Sequence, residues 1–169
     1  LMEASGDMEK AVEIILKKGL AKSAKRAGAV ATEGEVAAWV AADGQSGVMV
    51  EVNIQTDFAA RNDDFKAFVQ QILQIASRAK TGADLAQEPF PGGGSVEEAR
   101  QALVGKLGEN IIVRRWQRLT VDGGKVHSYV HMGAKVGVLV ALQTQPAGAV
   151  AKPEFTKYID DLAMQAAAM

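Results

Sequence analysis

Residues 48 to 76 change from one hydrophobic period to another across a short polar connection, and that change limits the folds open to this chain. Val48, Val50, Val52 and Ile54 alternate with other residues, the period of a strand with one face on a core. From about Asp63, the residues Phe65, Phe68, Val69, Ile72, Leu73 and Ala76 recur at spacings of three and four, the stripe of an amphipathic helix. Residues 47–54 are therefore predicted as a half-buried strand, and 63–79 as a helix that comes at once after it. Between them stands Gln55-Thr56-Asp57-Phe58-Ala59-Ala60-Arg61-Asn62, a polar turn with one aromatic ring. Phe58 fits neither pattern. It is either a plug packed on its own helix or a group for entering another molecule.

The chain has 169 residues, 48% of them apolar, enough for a substantial core in one or two compact units. Its formal charge of −1 exerts no general pull on nucleic acid or membrane. No apolar run approaches the roughly 20 residues of a membrane span. Cysteine is absent, which excludes disulfides and thiolate chemistry. Residue 1 is Leu rather than Met, and helical patterns reach both ends. The chain is expected to be the ordered part of a longer protein.

Asp7 can cap a helix carrying Met8, Ala11, Val12, Ile15 and Leu16 on one face, with Gly19 ending it. A second short helix is expected over 20–27, rich in Lys22, Lys25 and Arg26. Strands come next at 35–42 and 47–54, joined by Asp43-Gly44-Gln45-Ser46. After the helix to Ala79 comes a loose stretch, 87–94, and then the capping box Ser95-Val96-Glu97-Glu98 opens a helix closed by Gly108. Further strands are expected at 110–119, 125–131 and 135–142, with Asp122-Gly123-Gly124 as a hairpin turn, before a terminal helix from Phe155. The pattern predicts an α+β protein with mainly antiparallel sheets, built as two hairpin-plus-helix units divided near Gly108. Residues 1–19 read as part of a helical module, 20–34 as a linker helix, 35–108 as the first unit and 109–169 as the second.

No catalytic constellation is readable. His127 and His131 lie four apart on a predicted strand, about 13 Å at strand rise, too far to share a metal. Asp63 and Asp64 open a helix, where carboxylates suit the dipole. Pro91-Gly92-Gly93-Gly94-Ser95 lacks the lysine of a phosphate-binding loop and reads as a flexible linker. Neither cofactor nor metal is expected. Two basic clusters remain: Lys17 to Arg26, and Arg114, Arg115 and Arg118 around Trp116. Solvated faces and cross-strand pairing explain both, and the alternative is a ribosome- or RNA-associated binding module.

In their order, the motifs point to one family. Glu3-Ala4-Ser5-Gly6-Asp7, Lys17-Lys18-Gly19-Leu20-Ala21-Lys22 and Ala24-Lys25-Arg26-Ala27-Gly28 resemble the small N-terminal helical (UBA-like) module and linker of elongation factor Ts. Glu51-Val52-Asn53 running into Gln55 to Asn62 is similar to that family's signature segment. Leu107-Gly108-Glu109-Asn110-Ile111, Tyr129-Val130-His131, Gly137-Val138-Leu139-Val140 and the terminal 162–168 match later landmarks in sequence.

The resemblance implies a nucleotide-exchange factor for elongation factor Tu, the GTPase that delivers aminoacyl-tRNA to ribosomes. Such a factor does no chemistry itself; it weakens the partner's hold on GDP and Mg²⁺. The resemblance also implies partner contacts at Thr56, Asp57, Phe58, Arg61, Leu107, Gly108, His131 and Met164. On that reading Phe58 enters a pocket of the partner. Asp57 holds the turn or pairs with a partner group, Gly108 allows close approach or stops a helix, and Met164 faces the partner or the core. The implied location is bacterial cytoplasm, plastid stroma or mitochondrial matrix.

Overall fold

The computed structural model describes residues 7–169. The expectations for residues 1–4 and for the Glu3 to Gly6 motif lie outside the described residues. The elements run α1 (Met8–Arg26), β1 (Glu33–Val40), β2 (Ser46–Ile54), α2 (Asp57–Ala60), α3 (Asp63–Arg78), α4 (Val96–Leu107), β3 (Ile111–Thr120), β4 (Gly124–Val130), β5 (Gly137–Gln143) and α5 (Pro153–Ala168). The protein is α+β, with one antiparallel sheet ordered β1-β2-β3 and a second formed by β4 and β5.

The two-period reading holds for the first core. Val48, Val50, Val52 and Ile54 of β2 are sealed from solvent, as are Phe65, Val69, Ile72 and Ala76 of α3, and they belong to one buried cluster. Each such side chain contributes roughly 1.5–3 kcal/mol by leaving water. The other face of β2 is only partly open: Met49 and Glu51 keep some exposure, as a half-buried strand requires, and the small sheet covers its Gly47 end. A methyl group placed at Gly47 would lie 2.7 Å from Val126 Cγ1 of β4 and 3.1 Å from Leu139 Cδ1 of β5. The opposite face of β4 meets α5, where His127 Nε2 lies 3.1 Å from Asp160 Oδ1. The layers are thus α3 and α4, the large sheet, the small sheet, and α5.

Two boundaries differ from expectation. The strand after Gly108 was expected in the second unit, yet it pairs with β2 from Ile54 opposite Ile111 to Ser46 opposite Thr120. Sheet pairing is non-local, and a turn signal cannot tell which sheet the next strand joins. The helix break at Gly19 is also absent, since α1 runs unbroken from its cap at Asp7 through Gly19 to Arg26. Gly19 is buried against α4: a methyl group on Gly105 would lie 2.8 Å from Gly19 Cα. Here glycine permits two backbones to approach, rather than ending a helix. The 87–94 stretch is likewise no loose linker. Phe90 packs on Phe68 at 5.8 Å between centroids, and its N–H and carbonyl bond Gly94 and Gly93.

The basic strand residues are consumed by the fold. Glu51 lies opposite Arg115, Arg114 is the extra residue at the bulge that follows, and the Glu51 carboxylate accepts from Arg114 Nη1 at 3.0 Å and Arg115 Nε at 2.6 Å. Arg118 Nη2 donates to the carbonyls of Ala76, Ser77 and Ala79, where the end of α3 has unpaired acceptors. Trp116 Nε1 donates to the Ala83 carbonyl. Partial burial opposes ionisation of Glu51, but hydrogen bonds from Arg115 and Asn53 and the charges of Arg115 and Arg114 outweigh it, holding its carboxyl below the ordinary range.

The α1–α4 contact predicts that Gly105→Ala lowers stability by about 1–2 kcal/mol, against the gain of about 1 kcal/mol that helix propensity alone would give. Urea unfolding decides, and a stabilised variant would mean that α1 is not seated on α4. For Glu51, the native state binds fewer protons than the unfolded chain near pH 4.5. The stability it supplies is complete above that value and is lost as pH falls through the lower folded value. At pH 7 the parent should exceed Glu51→Gln by about 1 kcal/mol, a figure kept small because both guanidiniums are largely exposed. The gap should close in acid, and a gap that persists there contradicts the assignment.

Candidate functional site

Two helix caps placed six residues apart build the connection after β2. Thr56 is extended, and its Oγ1 accepts from Ala59 N at 3.2 Å, opening α2. Asn62 is extended again, and its Oδ1 accepts from Asp64 N at 2.9 Å, opening α3. The expected polar turn is therefore a one-turn helix with its own axis. Successive residues on a helix are about 100° apart, so residues two apart face nearly opposite ways. Ala60 is buried at 5% exposure, which sends Phe58 outward at 81%. Of the two readings open for that ring, the plug on its own helix is excluded.

Asp57 Oδ2 accepts from Arg61 Nη2 at 3.1 Å, one helical turn away. Both side chains are largely solvated, so the pair is worth at most about 1 kcal/mol. The pair spans the turn and can open at small cost.

The α4–β3 corner is tied to the same turn. Gly108 ends α4 in the left-handed region, at φ 75°, and its N–H donates to the Val104 carbonyl at 2.8 Å. No heavy atom lies within 4 Å of where its side chain would begin, so it is a helix stop with open space beside it. Leu107 leans on the core and is only partly open to solvent. Beyond it, Glu109 Oε2 accepts from Thr56 N at 3.0 Å and Glu109 Oε1 from Thr56 Oγ1 at 2.7 Å. Gln55 Oε1 accepts from Asn110 N at 2.7 Å. Buried Asn110 reaches back through Nδ2 to the Ala29 carbonyl at 2.8 Å. Gln55, Glu109 and Asn110 lie within the family-like motifs, but sequence reasoning assigned them no task; the separation of Glu109 and Asn110 from the turn in the chain gave no signal of contact.

The β4–β5 tip faces this turn across a cleft of about 380 Å³, lined by Asp57, Arg61 and Lys66 on one side and Gly133, Ala134 and Lys135 on the other. The tip is pinned to β1, because Val36 N donates to the Ala134 carbonyl at 2.8 Å and Lys135 Nζ meets Glu33 Oε2 at 2.6 Å. His131 stands just past β4, exposed, with Tyr129 Oη 2.8 Å from its Nδ1. Thr56 is thus hydrogen-bonded to Glu109, next to Leu107 and Gly108 in the chain, while Asp57 and Arg61 share the cleft with Gly133, Ala134 and Lys135 of the tip, just beyond His131. Met164 belongs to a different element: it sits on α5, 38% exposed, while Ile159 and Ala163 supply that helix's buried face. It faces away from the core.

The basic end of α1 is less free than its composition implies. Lys17 pairs with Glu13 at 2.7 Å, and Lys22 donates to the Gly105 carbonyl. Among the described residues, no group of three or more His, Cys, Asp or Glu could hold a metal ion. Among them too, no helix is long and apolar enough to cross a membrane.

A family model described as Elongation factor TS matches residues 55–169, beginning at the Phe58 turn. The chain is 43% identical over 170 residues to a protein of Clostridium botulinum (strain Alaska E43 / Type E3) named Elongation factor Ts, covering 99% of this chain and 55% of that one. A Trichlorobacter lovleyi protein of the same name is 42% identical over 172 residues, with coverage of 99% and 55%. One from Arthrospira platensis is 47% identical over 145 residues, with coverage of 85% and 58%. The chain spans about half the length of the curated relatives it matches. With its family model covering more than half its residues, this chain belongs to the elongation factor Ts family.

Proposed function

We propose that this chain is the part of a guanine-nucleotide exchange factor that engages elongation factor Tu, with Phe58 as the residue that enters the partner. The observation that carries the reading is a phenylalanine held almost wholly in water on a turn fixed at both ends. Burying that ring in a partner pocket is worth roughly 1.5–3 kcal/mol. Because the turn is already ordered, little of that gain is lost to ordering on binding. Asp57 and Arg61 flank the ring, and their weak mutual pair can be exchanged for partner groups. Gly108 leaves room for a partner backbone, and the β4–β5 tip, with His131 at its start, faces the turn across the cleft through Gly133, Ala134 and Lys135. Met164, on another element, serves as a separate outlying contact.

The energetic consequence is linkage. A factor that binds the nucleotide-free partner more tightly than the GDP-bound one lowers the affinity for GDP and its Mg²⁺ by the same ratio. Returning nucleotide then expels the factor, and the cycle turns over without covalent chemistry. The bacterial sources of the named relatives support a bacterial cytoplasmic setting.

In stopped-flow release of fluorescent GDP from elongation factor Tu, Phe58→Ala should cut the acceleration by about thirtyfold, the kinetic equivalent of about 2 kcal/mol for a truncated anchor. Its circular dichroism and unfolding midpoint should match the parent, since an exposed ring contributes little to stability. Normal acceleration by a folded variant would remove Phe58 from the mechanism.

A further inference from the structure

Beyond the expected contacts, the geometry points to Glu109 as a positioning residue for Phe58, an inference that rests on the exchange reading above. A threonine hydroxyl has one proton to give and lone pairs to receive with. The Thr56 hydroxyl serves as a cap only while a lone pair faces Ala59 N–H. Glu109 Oε1 accepts a hydrogen bond from the Thr56 hydroxyl at 2.7 Å, and a lone pair of that oxygen is then turned to Ala59 N–H at 3.2 Å. The other carboxylate oxygen accepts from the backbone N–H of Thr56 at 3.0 Å. One carboxylate thus fixes both the backbone and the rotor of the residue that caps α2, two positions before Phe58. Hydrogen bonds to an ionised acceptor are the stronger kind.

The tether spans 53 residues of sequence. It fastens the Phe58 turn to the corner that carries Leu107 and Gly108, and the Gln55–Asn110 bond runs beside it. Buried Asn110 extends the chain of contacts to the Ala29 carbonyl, just beyond α1. Glu109 therefore sets the angle at which the exposed ring meets a partner, as well as the spacing between the ring and the open surface at Gly108. It acts through Thr56 and is required neither to touch the partner nor to hold the core.

A double-mutant cycle in the intact factor tests this. Glu109→Ala should slow GDP release from elongation factor Tu about tenfold in the parent, and less than about twofold in Phe58→Ala, because coupled residues do not add. Glu109→Gln keeps an acceptor oxygen and should recover much of the loss, with unfolding midpoints unchanged. Hydrogen exchange at Ala59 N–H reads the cap without the partner and should speed up in Glu109→Ala. Equal losses in both Phe58 backgrounds, or an Ala59 amide as protected as before, would overturn the positioning role. A parent factor that failed to accelerate GDP release at all would overturn the exchange reading instead, and Ala59 exchange would still report on Glu109.

Discussion

The place of β2, central in the large sheet and buried with α3 along one face, is the constraint on which the rest of the molecule depends. Its even-numbered residues are buried in the cluster that contains α3, and the small sheet lies over its other face at Gly47, which has no room for a side chain. A central strand held in that way cannot tilt or slip without moving its neighbours and the core. Its C-terminal end is therefore a fixed platform, and the turn beyond Ile54 inherits that rigidity. Thr56 and Asn62 then cap two helices in succession, and Ala60 turns inward. Phe58 is left no inward option.

An exposed aromatic ring is a small liability for an isolated protein and an asset for one that must bind. The ring contributes nothing to the core, so the fold does not explain it. Fixing it in advance means that association need not order the turn, which is where preorganised interfaces gain affinity. The surroundings fit the same purpose: a solvated Asp57–Arg61 pair, a glycine corner with open space, and a hairpin tip pinned to β1. They lie together because Glu109 and Gln55 bind the turn to the corner, while Val36 and Glu33 bind the tip to β1.

Local signals read well in this sequence. The period-2 run of β2, the period-3.6 stripe of α3, the Asp7 cap and the Ser95–Glu98 capping box all carry their structure within a few residues, and each recurs in the fold. What local signals could not carry was partnership. Gly19 signals a helix stop and a helix–helix contact equally well, and only the presence of Gly105 opposite decides between them. The strand 111–120 bears no mark of which sheet it joins. Arg118 gave no hint of the α3 carbonyls, the Ala76 one being 42 residues away. At the site, the resemblance supplied Phe58 as an outward group, whereas residue patterns alone left it undecided. Glu109 stood within a family-like motif without a task, because its partner is 53 residues distant.

Function on this reading turns on one ring passing from water into the partner. A fluorine label on the Phe58 ring, observed by ¹⁹F NMR, reports that passage directly. Alone, the resonance should be sharp and move with the change from H₂O to D₂O. In a stoichiometric complex with nucleotide-free elongation factor Tu, it should shift, broaden and lose that solvent response. A resonance that keeps its position and its sensitivity to solvent in the complex would contradict the account.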